Sequence, residues 1–138
     1  MIGKASKSPL SEATRTRLDQ LRHKLLTLHK LLLDGERTAY ERDHGRQTAG
    51  GMLQLLINHE QFAWLRRISE IIVRVDEILE DDDPSSPTNA AILMTQARAL
   101  LMQAENGDEF AQKYNAALQG QPGAVLVHKD VAGILSDG

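Results

Sequence analysis

The residues of this chain whose spacing best suits chemistry are Glu41 and His44, in Glu41-Arg42-Asp43-His44. A Glu-x-x-His step puts a carboxylate and an imidazole on one face of a helix, as carboxylate-bridged di-metal bundles do. Such a centre needs a second copy of the motif and two more inward carboxylates, and the chain has no second Glu-x-x-His. His44 also directly precedes Gly45, which places it in a last helical turn, where an imidazolium is favoured by the carbonyl end of the helix. Glu41 and His44 stand as the candidate metal ligands, but neither a metal nor a cofactor is predicted.

A second constellation is Tyr40, Phe62, Trp64 and Arg67, which could bound a pocket for a small anion or an aromatic ligand. The plainer expectation is that Trp64 anchors a core while Arg66 and Arg67 pair with Glu70 and other acids. His23 and His29 are six apart, about 240° around a helix, and cannot share a ligand. Serines at positions 6, 8, 11, 85 and 86 sit in tail or cap positions, and none lies in a Gly-x-Ser-x-Gly elbow. Gly50-Gly51 lacks the rest of a phosphate-binding loop and reads as a flexible joint. The run Asp81-Asp82-Asp83 lacks the alternating ligands and mid-loop glycine of a calcium loop. Cysteine is absent, which excludes thiol chemistry and Cys-based zinc sites.

The elements that must position these groups are helices. Leu18, Leu21, Leu25, Leu28 and Leu32 advance in steps of three and four, as do Leu65, Ile68, Ile72, Val75 and Leu79, so each set falls on one side of a helix. Ser8-Pro9 is read as opening the first helix, which runs over 9–44, bends if anywhere at Gly35, and stops at Gly45. A polar connection over 45–51 leads to a short helix over 52–57. The second major helix, 61–80, carries Trp64, Ile71 and Ile78 beside its seam and is expected to be central. Ser86-Pro87 opens a third helix reaching about residue 105, with Ala90, Leu93, Ala97, Leu100 and Ala104 on its seam. Asp108 caps a fourth, ending near Gln119, that presents Phe110, Tyr114, Ala117 and Leu118. The predicted fold is thus an all-α helical bundle of four main helices plus one short helix, in a single domain spanning 1–138. Residues 1–8 are expected to be a flexible N-terminus and 120–138 a loosely structured, irregular C-terminal tail, with Val125-Leu126-Val127 extended.

The first segment, 1–30, carries seven Lys or Arg against two acids, and 70–83 carries seven acids against Arg74 alone. Segregated charge can orient two helices within a molecule or join two molecules, and the intramolecular use needs no partner. On a helical wheel Arg15, Arg22 and His29 line one flank of the first leucine seam, while Arg17 and Lys24 lie on the other. A split pattern on a chain of pI 5.9 does not favour nucleic acid. There is no signal-peptide pattern and no run of about 20 apolar residues, so a cytoplasmic protein without a membrane segment is expected.

Leu26 and Leu33 lie more than about 100° from the centre of the first seam. They fit either a helix wedged between two neighbours of one bundle or a self-association surface for a homodimer, and the second is preferred because a helix of about 50 Å outruns a domain of this size.

The block Leu53-Gln54-Leu55-Leu56-Ile57-Asn58-His59-Glu60-Gln61-Phe62-Ala63-Trp64-Leu65-Arg66-Arg67-Ile68-Ser69-Glu70, with Arg74-Val75-Asp76-Glu77 after it, resembles a block in a family of short all-helical bacterial proteins. The resemblance extends back to Glu36-Arg37-Thr38-Ala39-Tyr40-Glu41-Arg42, about a third of the chain. It implies a bacterial cytosolic protein and brings no activity with it. The functional expectation is therefore a non-enzymatic interaction or regulatory protein that self-associates through helical surfaces. The alternatives are a small-ligand- or metal-binding helical enzyme centred on Glu41, His44 and Trp64, or nucleic-acid binding through the basic first helix.

Overall fold

The first leucine seam decides the centre of the molecule. Helix α1 (Glu12–His44) is continuous over 33 residues, about 50 Å at 1.5 Å per residue. All five of its seam leucines are completely buried. The computed structural model describes residues 9–81 and 83–136; among them lie six α-helices, one 3-10 segment and no strand. After α1 come α2 (Ala49–Asn58), the 3-10 segment Glu60–Leu65, α3 (Arg66–Glu80), α4 (Ser86–Leu101), α5 (Glu109–Gln119) and α6 (Pro122–Ser136).

The two predicted seams do meet: α3 packs along α1, burying Ile68, Ile72 and Val75, with Leu65 buried just ahead of it. The helices run antiparallel, since Arg22 reaches Asp76 while His29 reaches Ser69. It is α1 that holds the centre, however. Its opposite flank is covered by α6, the most extensive helix pairing in the molecule, with α4 beyond α3 and α5 bridging α4 and α6. No helix among the described residues is long and apolar enough to cross a membrane.

Several boundaries differ from the sequence expectation. The C-terminal segment is a helix, not an irregular tail with an extended Val125-Leu126-Val127. Pro122 sits at its first position, where a missing N–H costs nothing, and Ala124, Val131 and Leu135 bury against the rest. Docking onto α1 overrides the weak helix propensity of Val and Gly. The opening of α1 is capped by Ser11, whose hydroxyl accepts from the Thr14 amide at 3.0 Å; Ser8 and the 1–8 segment lie outside the described residues. Gly35 does not interrupt the helix. Gly50-Gly51 is the first turn of α2, capped by Thr48, and not a joint.

The 61–80 helix divides into two. His59 Nδ1 accepts from the Gln61 amide, and a tight 3-10 turn then lets Phe62, Trp64 and Leu65 all bury before α3 begins. Ser86 does not cap α4 from outside. It is buried, donates to the Asp81 carbonyl and accepts from the Asp83 amide, so it ties down the loop. Helix α4 stops at Leu101, short of residue 105, because Gln103 donates to the Leu100 carbonyl and accepts from the Asp108 amide, joining the end of α4 to the cap of α5.

Candidate functional site

Glu41 and His44 share a helical face but not a site. The Glu41 carboxylate accepts from the Gln47 amide at 2.7 Å and from Arg37 Nε at 3.3 Å. The Gln47 amide, with help from Arg37, holds this carboxyl below the usual glutamate range. Arg37 also donates to the Gln47 carbonyl, so Glu41 and Arg37 together fasten the connection between α1 and α2. His44 turns the other way: its ring stacks on Tyr40 at 4.2 Å and its Nδ1–H donates to the Tyr40 carbonyl. Among the described residues no three His, Cys, Asp or Glu stand close enough to hold a metal ion.

The predicted aromatic pocket residues fall into two groups. Tyr40 meets Phe62 at 5.9 Å and His59 at 5.3 Å, in a cluster that closes the far end of α1. Trp64 instead packs edge-on against Phe110 at 5.7 Å, with the Arg67 guanidinium 5.8 Å from that ring. Trp64 is 7% exposed and anchors α5 to the 3-10 segment. Tyr40 and Phe62 thus belong to one aromatic cluster, and Trp64 and Arg67 to another around Phe110.

Two polar pairs escaped the sequence reading. Ser69 Oγ lies 3.0 Å from His29 Nε2, the distance of a nucleophile and its base. His29 lies in mid-helix on α1 and Ser69 in the first turn of α3, so the contact ties two packed helices together. Burial alone pushes the His29 imidazole below its ordinary value. The second pair is Tyr114 and His128, where the buried phenol oxygen lies 2.6 Å from Nδ1. Residues 40 and 14 positions apart share no periodic signal, and only the packing of α1 on α3 and α5 on α6 creates these pairs.

The split basic pattern of α1 has a structural counterpart. On one flank Arg15 donates to the Leu79 carbonyl, Arg22 pairs with Asp76 at 2.5 Å, and His29 meets Ser69, all on α3. On the other, Arg17 donates to the Ile134 carbonyl and Lys24 pairs with Asp130, both on α6. The charge segregation is thus used inside the molecule.

Several large apolar side chains remain exposed. Helix α2 carries no charged residue, and of its large side chains only Met52 is buried. Leu53 and Ile57, one turn apart, are 55% and 51% exposed. Leu26 is 42% exposed, whereas Leu33 is half-buried against the core. Along their helices, Leu26 on α1 and the exposed Val73 on α3 each fall between the Arg22–Asp76 and His29–Ser69 ties. Comparison of the chain with protein-family models, with curated proteins and with solved structures returns no match. The bacterial resemblance of the central block is therefore not carried by any family, and the small all-helical architecture is what stands.

Proposed function

We propose that this protein is a non-enzymatic helical interaction module that associates with a second copy of itself, chiefly through α2. One observation carries the reading: a ten-residue helix without a charge leaves Leu53 and Ile57 in water. A solvated helix face is normally charged on its outer side. A two-fold interface sets one patch against its own copy, so a patch of one charge sign meets like charge there, whereas a neutral patch does not. Two α2 helices packed antiparallel would set Leu53 of each against Ile57 of the other.

Magnitude sets the expected strength. Burying the exposed half of each such side chain contributes roughly 1 kcal/mol, so four give about 4 kcal/mol. That only matches the low end of the association cost of about 4–15 kcal/mol, so the dimer should be weak and concentration-dependent. Sedimentation equilibrium over a wide concentration range is expected to show a reversible monomer–dimer transition, abolished by Leu53→Glu with Ile57→Glu and retained in Leu26→Glu. Loss of the dimer in Leu26→Glu alone would move the surface to the α1–α3 face. A mass that stays monomeric at the highest soluble concentration would end the proposal.

A further inference from the structure

We propose that the cavity between the start of α1 and helix α4 binds an anionic amphiphile, an acidic headgroup on a short aliphatic chain. The cavity holds about 390 Å³, within the usual span of small-ligand sites. Its apolar wall is Leu10, Leu18, Ala90 and Met94, all buried. Its charged lining is two arginines, Arg17 and Arg98, and no acidic side chain lines it.

The two guanidinium groups are fixed in place without being neutralised. Arg17 Nη2 donates to the Ile134 carbonyl at 2.7 Å, and Arg98 Nη1 to the next carbonyl, Leu135. Both therefore sit on the C-terminal end of α6, which favours cations. Among the described residues neither forms an ion pair with a carboxylate. Capping α6 engages one donor of each group, and a guanidinium carries five. Arg98 adds only a long contact of 3.4 Å to the Thr95 hydroxyl. Arg17 Nε is buried with no acceptor at all, an arrangement that folded proteins seldom leave unexplained. An oxyanion between the arginines would accept from the Nη donors that capping α6 leaves free, the charge-assisted contact that guanidinium favours. The hydroxyls of Ser11 and Thr14 stand on the same rim. An apolar tail would then lie on the leucine and methionine wall.

This site lies near the N-terminal end of α1, while α2 follows its C-terminal end, so the two proposals fail or stand separately. Isothermal titration calorimetry of the full chain with sodium decanoate, decyl phosphate, decyltrimethylammonium bromide and sodium sulfate tests it. Saturable one-to-one binding of decanoate or decyl phosphate is expected, with the tighter of the two naming the headgroup. Decyltrimethylammonium and sulfate should bind at least tenfold more weakly, because each lacks one half of the recognition. Arg17→Gln and Arg98→Gln should each weaken binding about tenfold. Since either change could loosen α6, Ala91→Trp provides a second arm: Ala91 is exposed on the cavity lip, so the indole should block entry while circular dichroism shows an intact fold. Equal binding of the cationic amphiphile, undiminished binding in a folded Ala91→Trp protein, or no saturable binding of either anion overturns the proposal.

Discussion

Tyr114 and His128 show how a single contact carries a pH dependence. The phenol is almost wholly buried, with its oxygen 2.6 Å from His128 Nδ1. Burial pushes the tyrosine up and the histidine down from its ordinary value of 6.5, and His29 is lowered for the same reason. The unfolded chain therefore binds more protons than the folded one in mildly acid solution. Stability contributed by these groups is complete above the ordinary histidine value and is lost as pH falls through and below it. Thermal melts should show a falling midpoint from pH 7 to pH 5, with the slope reduced in His128→Asn. Tyr114→Phe should cost about 1 kcal/mol at pH 7, the worth of one hydrogen bond, and should flatten part of the same slope. A midpoint that rises on acidification would mean that both imidazoles gain rather than lose protons on folding. Neither this pair nor Ser69 with His29 was legible in the sequence, because chemistry between residues on different helices has no period. Glu41 and His44 were legible as a spacing, yet their side chains serve the α1–α2 connection and the Tyr40 stack.

At the scale of the element, Gly35 within α1 and Gly45 at its cap should respond to alanine with opposite sign. Gly35 lies inside the helix, and a Cβ there would meet only the end of the Gln121 side chain, at 2.2 Å. That amide tip is flexible and can swing aside, so the helix propensity of alanine should prevail and Gly35→Ala should stabilise by roughly 0.5–1 kcal/mol. Gly45 ends the helix at φ 84° and ψ 169°, a region nearly reserved for glycine. Gly45→Ala should therefore destabilise by about 1–3 kcal/mol although it touches nothing. Urea denaturation of the two variants decides both signs, and a destabilised Gly35→Ala would mean that the Gln121 contact outweighs propensity. Helix α1 was legible because its seam is regular and Gly45 stops it, and Asp108 was legible as a cap, which it is, accepting from the Ala111 amide. The 3-10 segment was not, because Phe62, Trp64 and Leu65 fit a helical period well enough to pass for an α-helix. Its tighter winding is set by His59 and by the need to bury all three.

The whole molecule turns on a helix that its own sequence disguises. The segment over 122–136 mixes β-branched residues with Gly123 and Gly133, and read alone it suggests an irregular tail. Read beside α1, it supplies Val131 and Leu135 to a seam that would otherwise lie open, and Asp130 to Lys24. Context of this kind cannot be read one segment at a time, since α1 shows that it needs neighbours but not which ones. The consequence is measurable with one pair of substitutions. Val131 is completely buried while Leu126, on the same helix, is 64% exposed. Val131→Asp would bury a carboxylate without a partner, at a cost of at least about 3 kcal/mol. That is a large share of the roughly 5–15 kcal/mol by which a domain is stable, and on the order of 10 °C in melting temperature. Leu126→Asp should change the midpoint by no more than about 0.5 kcal/mol, as surface substitutions do. A loose tail would tolerate aspartate equally at both positions, so equal and negligible effects would detach α6 from the core. The expected outcome is a large loss at Val131 and almost none at Leu126, because the core of α1 is completed only when α6 lies along it.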